Sequence, residues 1–122
     1  MRKKEELKKI MLTDKEMLKI AELFIRRIVA KNIEPMIIPN ATLNKPYGNI
    51  YFFNSKKHIL TGDPTASLIG SGPFIVEKET GRVVSFGSLG TLEDNIKSYE
   101  NGTMTPSLDL YWYPDEDRFD YK

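Results

Sequence analysis

The sequence contains no cysteine. That excludes disulfide bridges, thiolate nucleophiles and thiolate metal sites together, and it suits a reducing compartment. There is a single histidine, His58 in the polar stretch NSKKH. One imidazole cannot build a multi-histidine metal site, and without a nucleophile beside it there is no triad, so His58 reads as a surface or packing residue. No apolar run approaches the roughly 20 residues of a membrane-spanning helix. The basic start MRKKEELKK leads into an amphipathic pattern and lacks the apolar core and cleavage site of a secretory leader. These absences point to a cytoplasmic protein, away from the membrane, that is stabilised by packing alone.

What is present is the composition of a folded domain. In 122 residues, 40% are apolar and 29% charged, which fits one compact domain and is too little chain for two of ordinary size. The formal net charge of +1 hides an asymmetry. Residues 1–31 carry ten Lys or Arg against five acids, and residues 91–122 carry three against eight. Lys3, Lys4, Lys8 and Lys9 interleave with Glu5 and Glu6, the pattern of a solvated helix face, which argues against nucleic acid as the partner.

Thr13 and Glu16 have the spacing of a capping box, so a helix is predicted to begin at Asp14. Met17, Leu18, Ala21, Phe24, Ile25 and Ile28 recur at three- and four-residue intervals and form a stripe to bury against a sheet; Leu7, Ile10, Met11 and Leu12 suggest a short helix before it. Pro35 and Pro39 frame MIIP, an apolar run that reads as a strand near a sheet edge. YGNIYFF reads as a strand with Ile50 and Phe52 on one face and Tyr51 and Phe53 on the other, both faces covered. FIVEKETGRVVSF reads as a hairpin with Gly81 in the left-handed position of its turn. TLEDNIKSYENG reads as a second helix, capped by Thr91, burying Ile96 and Tyr99, with Gly102 just past its end. The predicted class is α+β: an N-terminal amphipathic helix packed on a small antiparallel sheet, a second helix after the central hairpin, and a C-terminal strand or tail. Residues 1–12 form a basic extension, 13–102 the domain, and 103–122 an acidic, aromatic-rich strand or tail.

Two glycine clusters invite a phosphate-binding reading. Gly70-Ser71-Gly72 fails the geometry, because Pro73 and a strand follow it and no helix dipole faces the loop. GSLGT at 87–91 lies between strand and helix but lacks the lysine and spacing of a Walker motif. Both clusters read as corners of the sheet, so no cofactor is expected. The carboxylates form no recognisable acid and base pair, and DEDRFD lacks the central glycine and bidentate glutamate of a calcium loop. Neither metal nor catalytic residues are assigned.

The segment LDLYWYPDEDRFDY gathers five aromatics among five acids. Its first half, where Leu108 and Leu110 alternate with Asp109 and Tyr111, reads as an edge strand packed on the sheet, and Asp115 to Asp120 as a solvated acidic tail. It also reads as a binding surface, because Tyr and Trp anchor interfaces and the acids attract a basic partner. Tyr111, Trp112, Asp115, Glu116 and Asp117 are the candidate contacts.

From Gly48 to Glu100 the sequence resembles the immunity protein 35 family, or YrhB-like domain. The signs are an aromatic strand entering Thr61-Gly62-Asp63, a G-x-x-P from Gly70 to Pro73 ahead of an apolar strand, the hairpin turn from Glu77 to Gly81, and Gly87 before a helix ending in Tyr99 and Glu100. The family places tryptophan directly after the glycine matched by Gly48; here that position is Asn49, and Trp112 offers to fill the space from the tail. The resemblance implies a bacterial immunity protein, encoded beside a polymorphic toxin, that binds the toxin and occludes it without catalysis. Two alternatives stay open: a chaperone-like stabiliser of many clients, and a small enzyme using GSLGT as an anion site.

Overall fold

A computed structural model describes residues 11–68, 72–86, 90–104 and 111–120. Helix α1 spans Asp14–Ile28 and starts at the capping box. The Glu16 N–H donates to Thr13 Oγ1 at 3.1 Å, and the Thr13 N–H donates to Glu16 Oε1 at 2.8 Å. Met17, Ala21, Phe24 and Ile25 are buried. Leu18 and Ile28, expected in the same stripe, are 37% and 43% exposed. Leu18 lies about 100° round the helix from Met17, at the margin of the stripe, and Ile28 is the last helical residue.

The strands are β1 (Pro35–Ile37), β2 (Leu43–Lys45), β3 (Gly48–Tyr51), β4 (Phe53–Ser55), β5 (Phe74–Glu77), β6 (Val83–Ser85), β7 (Tyr111–Tyr113) and β8 (Arg118–Asp120). Two further helices, α2 (Lys56–Thr61) and α3 (Leu92–Asn101), and a single 3-10 turn at Pro64–Ala66 complete the described elements. Six strands form an antiparallel sheet in the order β2-β3-β5-β6-β7-β8, and β1 pairs with β4 in a separate ribbon. The fold is therefore α+β, with an N-terminal helix against antiparallel strands and C-terminal strands in the main sheet.

Strand alternation gives the sheet two apolar faces. One carries Tyr51, Phe74, Val76, Val83 and Trp112 against Met17, Ala21, Phe24 and Ile25 of α1. The other carries Ile50, Ile75, Val84 and Phe86 against Leu92, Ile96 and Tyr99 of α3. The result is a three-layer sandwich of helix, sheet and helix. At its centre the Phe24 ring lies 4.7 Å from that of Phe74 and 5.6 Å from that of Trp112.

Several local expectations are met and several are redirected. The hairpin of β5 and β6 turns through Gly81 at φ +79°, and α3 is capped by Thr91 and stopped by Gly102. YGNIYFF keeps its predicted alternation but is not one strand. The chain changes sheets at Phe52, whose carbonyl accepts from the Ile38 N–H at 2.8 Å, and β4 then pairs with β1. Strand β2 was not expected, because its three residues have no alternating pattern of their own and take their conformation from pairing with β3. Nor was α2, which is too short to show periodicity. It is made by its ends: Ser55 Oγ accepts from the His58 N–H at 3.0 Å, and Gly62 closes it in a left-handed conformation. The segment before α1 is not helical at Met11 and Leu12, where the Leu12 N–H donates to the Lys78 carbonyl at 2.9 Å. Leu7 and Ile10 lie outside the described residues.

Candidate functional site

Three backbone segments meet at one end of the sheet. The Lys78 N–H donates to the Tyr47 carbonyl at 2.8 Å, and the Lys78 carbonyl accepts from Leu12, so the β5–β6 turn is bound on both sides. With Tyr99 from α3 and the β7–β8 turn, they enclose an open groove of about 870 Å³. Tyr47, Tyr99, Tyr113, Glu77 and Arg82 line it, with Glu79, Asp115 and Glu116 also on its walls.

Glu77 and Arg82 flank the hairpin turn, and their backbones pair, the Glu77 N–H donating to the Arg82 carbonyl at 2.9 Å. That pairing sets the side chains abreast. Arg82 grips Glu77 through Nε to Oε1 at 2.8 Å and Nη2 to Oε2 at 2.9 Å, a two-pronged charge-assisted contact. The Tyr99 hydroxyl donates to Glu77 Oε2 at 2.5 Å. On its other side the Arg82 guanidinium lies 4.2 Å from the centre of the Tyr111 ring. Tyr47 donates to Glu100 Oε2 at 2.7 Å, and its ring packs 5.0 Å from that of Tyr99.

These contacts hold the protons in place. Burial, then the acceptor Glu77, raises the Tyr99 hydroxyl well above the ordinary tyrosine range, and burial with Glu100 does the same for Tyr47. Burial works against the charge on Arg82, but hydrogen bonds to Glu77 and Tyr113 outweigh it and raise the guanidinium further. An acid or base working near neutral pH needs a pKa close to that pH. These three groups are shifted away from it, and their donors are engaged by Glu77 and Glu100.

Residues 111–120 form a strand pair whose turn carries the exposed acids Asp115, Glu116 and Asp117. β7 and β8 form a hairpin that adds to β6, and its turn supplies one wall of the groove. Of the five candidate contacts, Asp115 and Glu116 stand exposed on that wall. Trp112, expected at a surface, is 3% exposed and packs on Phe24, because its place in the strand points it at α1. Asp117 is exposed as well but is engaged within the chain: its Oδ1 accepts from Arg27 Nε at 2.8 Å and from Trp112 Nε1 at 3.2 Å. Tyr111 is half-buried under Arg82. Leu108, Asp109 and Leu110 lie outside the described residues.

The residues that carry the resemblance do structural work. At Gly48 a Cβ would stand 2.2 Å from the Val76 carbonyl oxygen, so only glycine lets β3 approach β5. Thr61 Oγ1 bonds to the Lys57 carbonyl at 2.6 Å and accepts from the Asp63 N–H at 3.2 Å, closing α2 after Gly62. Asp63 then caps the 3-10 turn, accepting from the Thr65 N–H at 2.9 Å and hydroxyl at 2.7 Å. The Pro73 carbonyl accepts from Phe86 at 3.0 Å. Gly70 and Gly87 lie outside the described residues, as do Ser71 and residues 88–89 of the GSLGT loop. His58 Nδ1 lies 2.9 Å from the Asp63 carbonyl, which ties α2 to the same corner.

Asn49 is 3% exposed and fully engaged. It donates to Asp14 Oδ1 at 3.1 Å and the Tyr51 hydroxyl at 3.2 Å, and it accepts from Asn44 Nδ2 at 2.9 Å. The pairing register runs Asn49, Val76, Val83, Trp112 across neighbouring strands, so Trp112 lies in the same row but three strands away. It does not fill the space beside Gly48; a polar network does.

Beyond the opposite charges at either end of KETG, which a hairpin sets side by side, nothing in the sequence alone marks Tyr47, Glu77 and Arg82 as site residues. Tyr99 reads there as a buried helix position and a sign of the resemblance. Among the described residues, no group of three or more His, Asp or Glu is placed to hold a metal ion. No described helix is long and apolar enough to cross a membrane.

Comparison with known proteins finds no matching family model and no matching solved structure. The chain is 36% identical over 53 residues to a protein of Escherichia coli (strain K12) described as "Uncharacterized protein YrhB". The aligned stretch is 43% of this chain and 56% of that protein, so the chain spans little more than half the relative's length.

Proposed function

We propose that this chain is a non-catalytic immunity protein that binds a cognate bacterial toxin and neutralises it by occlusion. The docking face is the groove between the β5–β6 turn, α3 and the β7–β8 turn. One observation carries the reading: the groove has an aromatic lining, its innermost charges satisfy one another, and Glu79 and Asp115 on its walls have no partner among the described residues. Such a surface is suited to complementarity. Tyrosines anchor interfaces at low entropic cost, and exposed acids raise the rate of encounter with a basic partner. The resemblance of Gly48 to Glu100 to immunity protein 35 supports the same reading. A standard interface of roughly 1,600 Å² extends well beyond the groove, so neighbouring loops contribute contacts.

The test is co-expression of the full chain with the product of the adjacent reading frame in the source genome, scoring survival and co-purification together. The expected result is a toxic neighbour, rescued with a stoichiometric complex. A harmless neighbour, or rescue without a complex, overturns the reading. Weak binding to many unfolded proteins in place of one partner would establish the chaperone-like alternative instead.

A further inference from the structure

The groove's chemistry narrows the partner. Four carboxylates line it, Glu77, Glu79, Asp115 and Glu116, against two cations, Lys78 and Arg82. Glu77 is neutralised by Arg82, and Glu116 bonds to Arg118. Glu79 and Asp115 are exposed and carry no ion-pair or hydrogen-bond partner among the described residues. The fold also twice lays a guanidinium on a tyrosine beside this groove: Arg82 is 4.2 Å from the Tyr111 ring centre, and Arg118 is 4.5 Å from that of Tyr113. The Tyr47 and Tyr99 pair, 5.0 Å apart and lining the same groove, has no cation on either face among the described residues.

Aromatic faces attract cations, Arg more often than Lys, and the attraction strengthens where water is partly excluded. An anionic ligand would meet Glu79 and Asp115 against one free cation among the described residues, Lys78, and a purely apolar one would leave the carboxylates facing it. We propose that the groove receives an arginine side chain from a basic segment of the protein partner, stacked on Tyr47 and Tyr99 and neutralised by Glu79 and Asp115. This rests on the groove being the docking face, and it identifies what docks there.

The probe is a fluorescein-labelled hexa-arginine peptide titrated into the full chain, with hexa-glutamate as control, followed by anisotropy and by amide shifts in nitrogen-15 spectra. Saturable binding of hexa-arginine alone is expected. Shifts should centre on Tyr47, residues 78–82, Tyr99 and Asp115, and binding should weaken with added salt. Glu79→Gln with Asp115→Asn should weaken it at least about tenfold, and both sites are exposed enough to leave the fold intact. Shifts centred elsewhere, or affinity unchanged in the double variant, overturn the proposal. The same variant separates the two readings. A toxin complex that forms unchanged with it sinks the arginine site and leaves immunity standing; a groove that binds hexa-arginine when no toxin is neutralised does the reverse.

Discussion

At Tyr99 one hydroxyl joins α3 to the sheet through Glu77, and its proton is the bond. The acidities of Tyr47, Tyr51 and Tyr99 are all lowered by folding, burial being the largest cause in each. Their folded pKa values therefore lie above the ordinary 10.0. The native state then binds more protons than the unfolded chain at alkaline pH. Stability from these groups is complete below pH 10 and declines as pH rises beyond it toward the folded values. The share of tyrosinate absorbance at 295 nm that belongs to these three should accordingly lag in the folded protein and appear together with unfolding. Tyr99→Phe should cost about 1.5–3 kcal/mol at neutral pH, for the lost bond to a charged acceptor. It should also flatten the fall in urea midpoint above about pH 10. A midpoint that falls as steeply in the variant would show that Tyr99 does not contribute to the alkaline loss.

The elements divide by how local their causes are. Helix α1, the β5–β6 hairpin and α3 are legible in the sequence because caps, turn glycine and periodicity act within a few residues. The capping box is the clearest case. Thr13→Ala should lower the urea-derived stability by about 1 kcal/mol, while Thr13→Ser keeps most of it. Equal losses in both variants would move the cause from the cap bond to the threonine methyl. Strand β2 and the β7–β8 hairpin are not legible in this way, because strands of three residues are too short to show alternation, and the change of sheet at Phe52 depends on β1, which lies well before it in the chain. The site follows the same rule. Asp115 and Glu116 could be picked out by charge, but their junction with Tyr47 and Tyr99 depends on which turns the Lys78 backbone binds together. Trp112 shows the limit of composition: an aromatic among acids looks like an interface anchor until the pairing of β7 with β6 points it at Phe24.

For the whole molecule, the consequence is that the acidic segment cannot be removed to test binding. Strands β7 and β8 close one side of the main sheet, and Trp112 and Phe119 from them pack on the core beneath α1. Losing a buried tryptophan alone costs on the order of 3–5 kcal/mol. Asp117 also releases its ion pair with Arg27, and β6 is left with an unpaired edge. Against a total stability of about 5–15 kcal/mol for a domain, that sum is enough to unfold it. Truncation after residue 110 should therefore give a chain without a cooperative thermal transition and with aggregation, whatever its partner. Glu79→Gln with Asp115→Asn should keep the melting temperature within about 2 °C, as surface changes away from caps and pairs usually do. Circular dichroism melts of the two, run beside the binding assay, distinguish a lost contact from a lost fold. A truncated chain that melted cooperatively near the full-length temperature would place the Trp112 hairpin outside the cooperative core and restore deletion as a legitimate probe of binding.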